Sequence, residues 1–145
     1  MSGIQLVYLS SAFYQDFSAS QYSEIEQKQN RPYVQVCVTI NGVVWAIPLR
    51  SNINHEHVLW TDQTNKCGLD FSKAVVIEKP EYFDGTNTPW IRENEFQELK
   101  GKEFVISTKM EKYIDKYKKA RRKQHIPRNI RLCQYSTLQY FEHYL

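Results

Sequence analysis

The strongest pattern in the chain is a pair of apolar stretches meeting at a tight turn. Val34, Val36, Val38 and Ile40 alternate with Gln35, Cys37 and Thr39; Asn41-Gly42 follows, and Val43, Trp45, Ile47 and Leu49 resume the alternation. Asn-Gly supplies the two positive-φ residues of a type I′ turn, and a two-residue loop pairs Ile40 with Val43, Val38 with Trp45, Val36 with Ile47 and Val34 with Leu49. All four pairs share one apolar face, so turn chemistry and binary pattern agree on the register. That register also sets Tyr33 against Arg50, Pro32 against Ser51 and Arg31 beside Asn52, which gathers polar groups at the hairpin's open end. Pro48 has no amide proton and points to an edge or a bulge at its position.

Around the hairpin the pattern predicts further elements. Ile4 to Leu9 reads as a strand, with Ser10-Ser11 capping a short helix through Phe17. In the polar stretch Ser18 to Asn30, the spacing of Tyr22, Ile25, Glu26 and Gln29 suits a surface helix of one or two turns. Val58-Leu59-Trp60 is a strand candidate, and Leu69 to Ile77 a second one in which Lys73 falls on an otherwise apolar parity. Glu78 to Arg92, with Pro80, Gly85 and Pro89, reads as a loop. Glu93 to Leu99 is expected to be a short helix and Lys102 to Ser107 a strand. From Ser107 the apolar residues Met110, Tyr113, Ile114, Tyr117 and Ala120 recur at helical spacing, with lysines elsewhere around the axis. This basic amphipathic helix should stop before Pro127, and a last helix carrying Leu138, Phe141 and Leu145 should dock on the core. The mixture is α+β.

Composition places the 145 residues, 41% hydrophobic and 24% charged, in one globular domain spanning 1–145. No run approaches the roughly 18 apolar residues of a membrane span. Cys37, Cys67 and Cys133 show neither a CxxC pair nor ligand spacing, so they read as reduced core fillers of a cytoplasmic protein needing no metal or cofactor. The net charge of +3 hides an asymmetry: Lys100 to Arg131 holds twelve cations and three acids, net +9, whereas the rest holds seven cations and thirteen acids, net −6. Such a block points to a polyanionic partner.

Ser51 ends a strand beside Arg50, with Arg31 across the hairpin and Lys73 as a further cation, a group suited to a phosphate. The bland alternative is a turn-capping serine among solvated arginines. His55 or His57 is a candidate proton-transfer group near neutral pH. Lys73 either reaches the same pocket or snorkels to the sheet edge. Lys109, Lys112, Lys116 and Lys119 are candidates for gripping nucleic-acid phosphates, joined at the hairpin by Tyr33 and Asn52, whereas the helical spacing of Tyr113 and Tyr117 puts them in the core.

Three stretches in order, Asn30-Arg31-Pro32-Tyr33, Ala46 to His55 and Gly68 to Ile77, resemble the endoribonuclease toxins of type III toxin–antitoxin systems. The likeness is to the TenpN branch, related to the ToxN, AbiQ and CptN toxins, and covers about residues 13 to 119. The resemblance implies a strongly bent antiparallel sheet similar to the Kid and MazF toxins, with helices around it. It also implies metal-independent cleavage of cellular or phage RNA, and inhibition by a repeated antitoxin RNA that folds as a pseudoknot and assembles with the toxin into a closed complex. The family's strand-end serine corresponds to Ser51. ToxN-like members carry threonine where this chain has Arg50 and lysine where it has Arg31, and an arginine stays protonated, so a lysine's proton-donor role does not transfer.

The expected reaction is internal transesterification, in which the 2′-hydroxyl attacks the adjacent phosphate to give a 2′,3′-cyclic phosphate and a 5′-hydroxyl. Arg50 and Arg31 suit charge stabilisation, Ser51 positioning or proton relay, and His55 or Lys73 proton transfer. The main alternative is a non-catalytic nucleic-acid-binding module that uses the basic helix. A peripheral membrane protein is disfavoured by a tyrosine-rich apolar face interrupted by Asp115.

Overall fold

The computed structural model describes residues 4–27 and 32–145. The hairpin forms as its pattern dictates. Strand β2 (Gln35–Ile40) pairs with β3 (Val43–Arg50) in the expected register, with Val36 opposite Ile47 and Val38 opposite Trp45, and the turn holds Asn41 at φ 51° and Gly42 at φ 79°. The Leu49 amide donates to the Val34 carbonyl at 2.8 Å, extending the pairing one step toward the open end.

The other strands assemble on this hairpin. β1 (Gln5–Val7) covers the free edge of β2. The far edge of β3 has two partners: Trp45 and Ala46 face β6 (Val75–Val76), and Leu49 and Arg50 face β5 (Cys67–Asp70). Pro48 lies between those partners. Its nitrogen points away from β2, because Leu49 is bonded to that strand and amides alternate sides, so the proline interrupts no ladder. β5 in turn pairs with β4 (Val58–Asp62), giving a six-stranded antiparallel sheet of order β1-β2-β3-β5-β4 with β6 on β3. β1 and β4 are the ends of this path, and they do not pair with each other among the described residues.

Helices α1 (Ser11–Asp16), α2 (Glu93–Leu99), α3 (Glu103–Arg122) and α4 (Pro127–Tyr135) surround the sheet. The core joins Trp45, Ile47 and Leu69 of the sheet to Phe13, Leu99, Ile106, Met110 and Tyr117 of the helices. Tyr113 and Tyr117 are buried as their spacing predicts, with hydroxyls donating to Ser136 Oγ at 2.8 Å and Glu142 Oε2 at 2.5 Å. All three cysteines are free, and burial raises each thiol pKa, that of Cys37 to about 12, as suits packing groups. Among the described residues no helix is long and apolar enough to cross a membrane.

Four expectations are corrected. Ser18 to Gln27 forms turns, not a helix, although Ile25 is buried; Ser18 and Ser20 bond each other at 3.2 Å, serines being poor partners for a helical backbone. Gln29 of that pattern lies outside the described residues. The strand expected over Leu69 to Ile77 breaks after Asp70, whose carboxylate accepts the Ser72 amide at 3.0 Å and turns Phe71–Lys73 into a 3₁₀ turn. Lys102 to Ser107 is not a strand. Its β-branched run enters α3, because Ile106 extends the buried stripe of Met110 and Tyr113, which leaves Phe104 exposed. The C-terminal helix is replaced by α4 and two 3₁₀ turns, Thr137–Tyr140 and Glu142–Tyr144, that still bury Leu138 and Phe141 completely.

One glycine fixes the spacing of β5 and β4. A Cβ at Gly68 would lie 2.4 Å from the Leu59 carbonyl oxygen and 3.0 Å from the Trp60 Cα, both backbone atoms. Gly68→Ala is therefore expected to destabilise the protein by about 1–3 kcal/mol through forced backbone displacement, measurable as a lower urea midpoint.

Candidate active site

The hairpin's open end forms one wall of a cleft of about 260 Å³. Pro32, Tyr33, Arg50 and Ser51 line that wall, at the end of the hairpin where the sequence register gathers them. Tyr8, Trp90, Ile91, Arg92 and Glu95 supply further lining, bringing the loop before α2 against the strand ends. Ser51 is exposed and makes no side-chain hydrogen bond to a described residue. Glu95 is only 4% exposed; its carboxylate accepts the Thr61 hydroxyl at 2.5 Å and lies 3.4 Å from the Arg92 guanidinium. The cleft thus combines the Ser51 hydroxyl, two phenols, two guanidiniums and a carboxylate.

Arg50 is held from behind. Its guanidinium pairs with the fully buried Asp70 and, at 3.0 Å, with Glu26. Asp70 also accepts from the Ser72 hydroxyl at 2.5 Å and lies 3.2 Å from His55 Nε2. Burial pushes the Asp70 carboxyl pKa up, but the hydrogen bonds of His55 and Ser72 and the charge of Arg50 outweigh it, so the value lies below the ordinary one. Burial and the nearby Glu26 raise the Tyr33 pKa, against a smaller opposing pull from Arg50, so the phenol stays protonated at neutral pH.

The remaining sequence candidates separate. His55 does not line the cleft: the His57 amide donates to its Nδ1 at 3.0 Å, which leaves Nε2 as the protonated nitrogen of the neutral ring, facing Asp70. Lys73 points elsewhere, donating to the Tyr135 carbonyl at 2.9 Å with Glu24 at 3.8 Å, because the 3₁₀ turn removes it from strand parity. Asn52 is exposed at φ 57° and is not part of the lining, and Arg31 lies outside the described residues.

A second groove, of about 360 Å³, runs beside α3 and is lined by Lys109, Lys112, Lys116, Glu56 and His57. These lysines and Lys119 are exposed and follow one stripe of the helix, at spacings of three and four residues. Lys116 contacts Glu56 at 2.7 Å. Burial, then the charge of Lys116, lowers the His57 pKa, which keeps that imidazole neutral near pH 7.

Sequence reasoning missed Asp70, Arg92, Glu95 and Trp90. Asp70 carried a local signal, the Asp-x-Ser spacing of a capped turn. The other three join the cleft only through the packing of α2 on β4, and no local pattern reports that contact. No known protein family, no curated protein and no solved structure matches the chain.

Proposed function

We propose that this chain is the toxin of a type III toxin–antitoxin pair, a sequence-selective, metal-independent endoribonuclease acting in the cytoplasm. The observation that carries the reading is the cleft at the hairpin's open end. Residues of the resembling motifs, Pro32, Tyr33, Arg50 and Ser51, line it together with a carboxylate and a second arginine. The proposal includes the family's Kid- and MazF-like bent sheet and its inhibition by a pseudoknot antitoxin RNA.

Transesterification needs a base for the 2′-hydroxyl, an acid for the departing 5′-oxygen and donors for the charged phosphorane. Glu95 takes the 2′-hydroxyl proton as the oxygen attacks phosphorus. The bond from phosphorus to the 5′-oxygen breaks, and the Tyr33 phenol protonates that oxygen. The Ser51 hydroxyl and the Arg92 guanidinium donate to the non-bridging oxygens. Arg50, already paired with two carboxylates, orients Tyr33 and adds less charge than its position in the sequence suggests. His55 and Lys73, expected to transfer protons, have no part in this scheme because neither lines the cleft.

The α3 lysines hold the RNA backbone in the same account. Each Lys→Ala change at 109, 112, 116 or 119 is expected to reduce the slope of log affinity against log salt by about 0.7–1, measured by titrating single-stranded RNA at several ionic strengths. A second reading, the non-catalytic binding module, draws on one observation, the neutralisation of Arg50 by Asp70 and Glu26. Incubation of purified protein with RNA in EDTA separates the two readings: new cyclic-phosphate ends support the nuclease, and binding without cutting supports the module.

A further inference from the structure

The cleft carries an aromatic group that the chemistry above does not use. Trp90 contributes to the lining and is 69% exposed, although the indole is the largest apolar side chain available to a fold. The other two tryptophans are at least partly covered, Trp45 completely so.

Trp90 sits on a backbone fixed from both sides. Tyr8 holds the loop twice, its carbonyl accepting the Asp84 amide at 2.9 Å and its hydroxyl accepting the Trp90 amide at 3.0 Å. Between those points Asp84 accepts the Thr86 and Asn87 amides at 2.8 and 3.2 Å. On the other side Ile91 packs against the core, and the Arg92 carbonyl accepts the Phe96 amide at 2.9 Å at the start of α2. The indole is thus displayed by a segment anchored on both sides, on the same cleft as Arg92 and Ser51.

A flat, electron-rich ring held in the open next to phosphate-binding groups matches one feature of an RNA strand, the face of a base flanking the bound phosphate. Stacking of that kind serves single strands, because a base in a duplex is already covered on both faces. We propose that Trp90 is the base platform of the cleft, stacking an unpaired nucleobase next to the scissile phosphate and setting where along a single-stranded RNA the phosphate enters. The inference rests on the nuclease reading for its substrate, and its test is built so that the two can fail separately.

Binding is measured by fluorescence anisotropy with two uncleavable probes of equal length: a single-stranded RNA methylated at every 2′-oxygen, and an oligomer with the same phosphodiester backbone built from abasic units. Trp90→Ala should weaken binding of the RNA about tenfold to hundredfold and leave the abasic probe unchanged, and Trp90→Phe should recover most of the loss. Thermal melts serve as the folding control, and the exposure of the residue predicts no change. If Trp90→Ala binds both probes like the wild type, or loses both equally, or if the wild type itself does not distinguish them, the platform is refuted. Unmodified RNA is then assayed in EDTA. Base-dependent binding through Trp90 without any cutting would uphold the platform and remove the nuclease, whereas unaltered cutting sites and rates in Trp90→Ala would remove the platform alone.

Discussion

Glu95→Gln is expected to lower RNA cleavage by about 10²–10⁴-fold while RNA binding changes little. The substitution keeps the shape of the side chain and an oxygen to accept the Thr61 hydroxyl, so the packing of α2 on β4 should survive. What it removes is the group that receives the 2′-hydroxyl proton. The single-turnover rate should fall. Ser51→Ala should cost about 10²–10³-fold, as loss of a donor to a developing oxyanion does. Glu95→Gln cutting at the wild-type rate would place the base elsewhere.

Asp70→Ala should destabilise the fold by about 3 kcal/mol, the lower end for breaking a buried ion pair, since Arg50 keeps Glu26 and some solvent. Asp70 is wholly buried and is shared by Arg50, His55 and Ser72, so its loss strands several polar groups together. The folded carboxyl has a lower pKa than the unfolded one, so it binds a proton less readily. Its contribution is complete above the unfolded value of about 3.9 and is lost as pH falls through the folded value. Urea denaturation should show the full gap between wild type and Asp70→Asn at neutral pH and a shrinking gap below about pH 4. A gap that stays constant with pH would show that the carboxylate is not what links these groups.

The parts of the fold that rest on local chemistry were legible before the structure. Asn41-Gly42 and the alternation around it determine the hairpin register, and the register brings Tyr33, Arg50 and Ser51 to the hairpin's open end, where all three line the cleft. The periodicity of Met110, Tyr113 and Tyr117 likewise reveals α3. Errors arose where two local signals compete. The run Phe104-Val105-Ile106 has strand propensity and is overruled by the helical stripe that Ile106 extends. The strand pattern through Lys73 is overruled by the turn that Asp70 caps, and that one turn carries the lysine away from the cleft.

The site was legible only on its hairpin side. Glu95 reaches it from α2 and Arg92 from the cap position just before that helix, both more than forty residues along the chain from Arg50, and Trp90 from the preceding loop. A contact made by long-range packing leaves no periodic trace. The burial of Arg50 between Asp70 and Glu26 is of the same kind, and it turns a residue read as a free phosphate ligand into one that orients Tyr33.

The most direct test of the central claim is the chemistry of the RNA ends. Purified protein is incubated with single-stranded RNA in excess EDTA, and the products are analysed for their termini. The account predicts fragments ending in 2′,3′-cyclic phosphate and beginning with 5′-hydroxyl, formed at least about a hundredfold more slowly when Ser51→Ala or Glu95→Gln replaces the wild type. RNA that is bound but remains intact would contradict it.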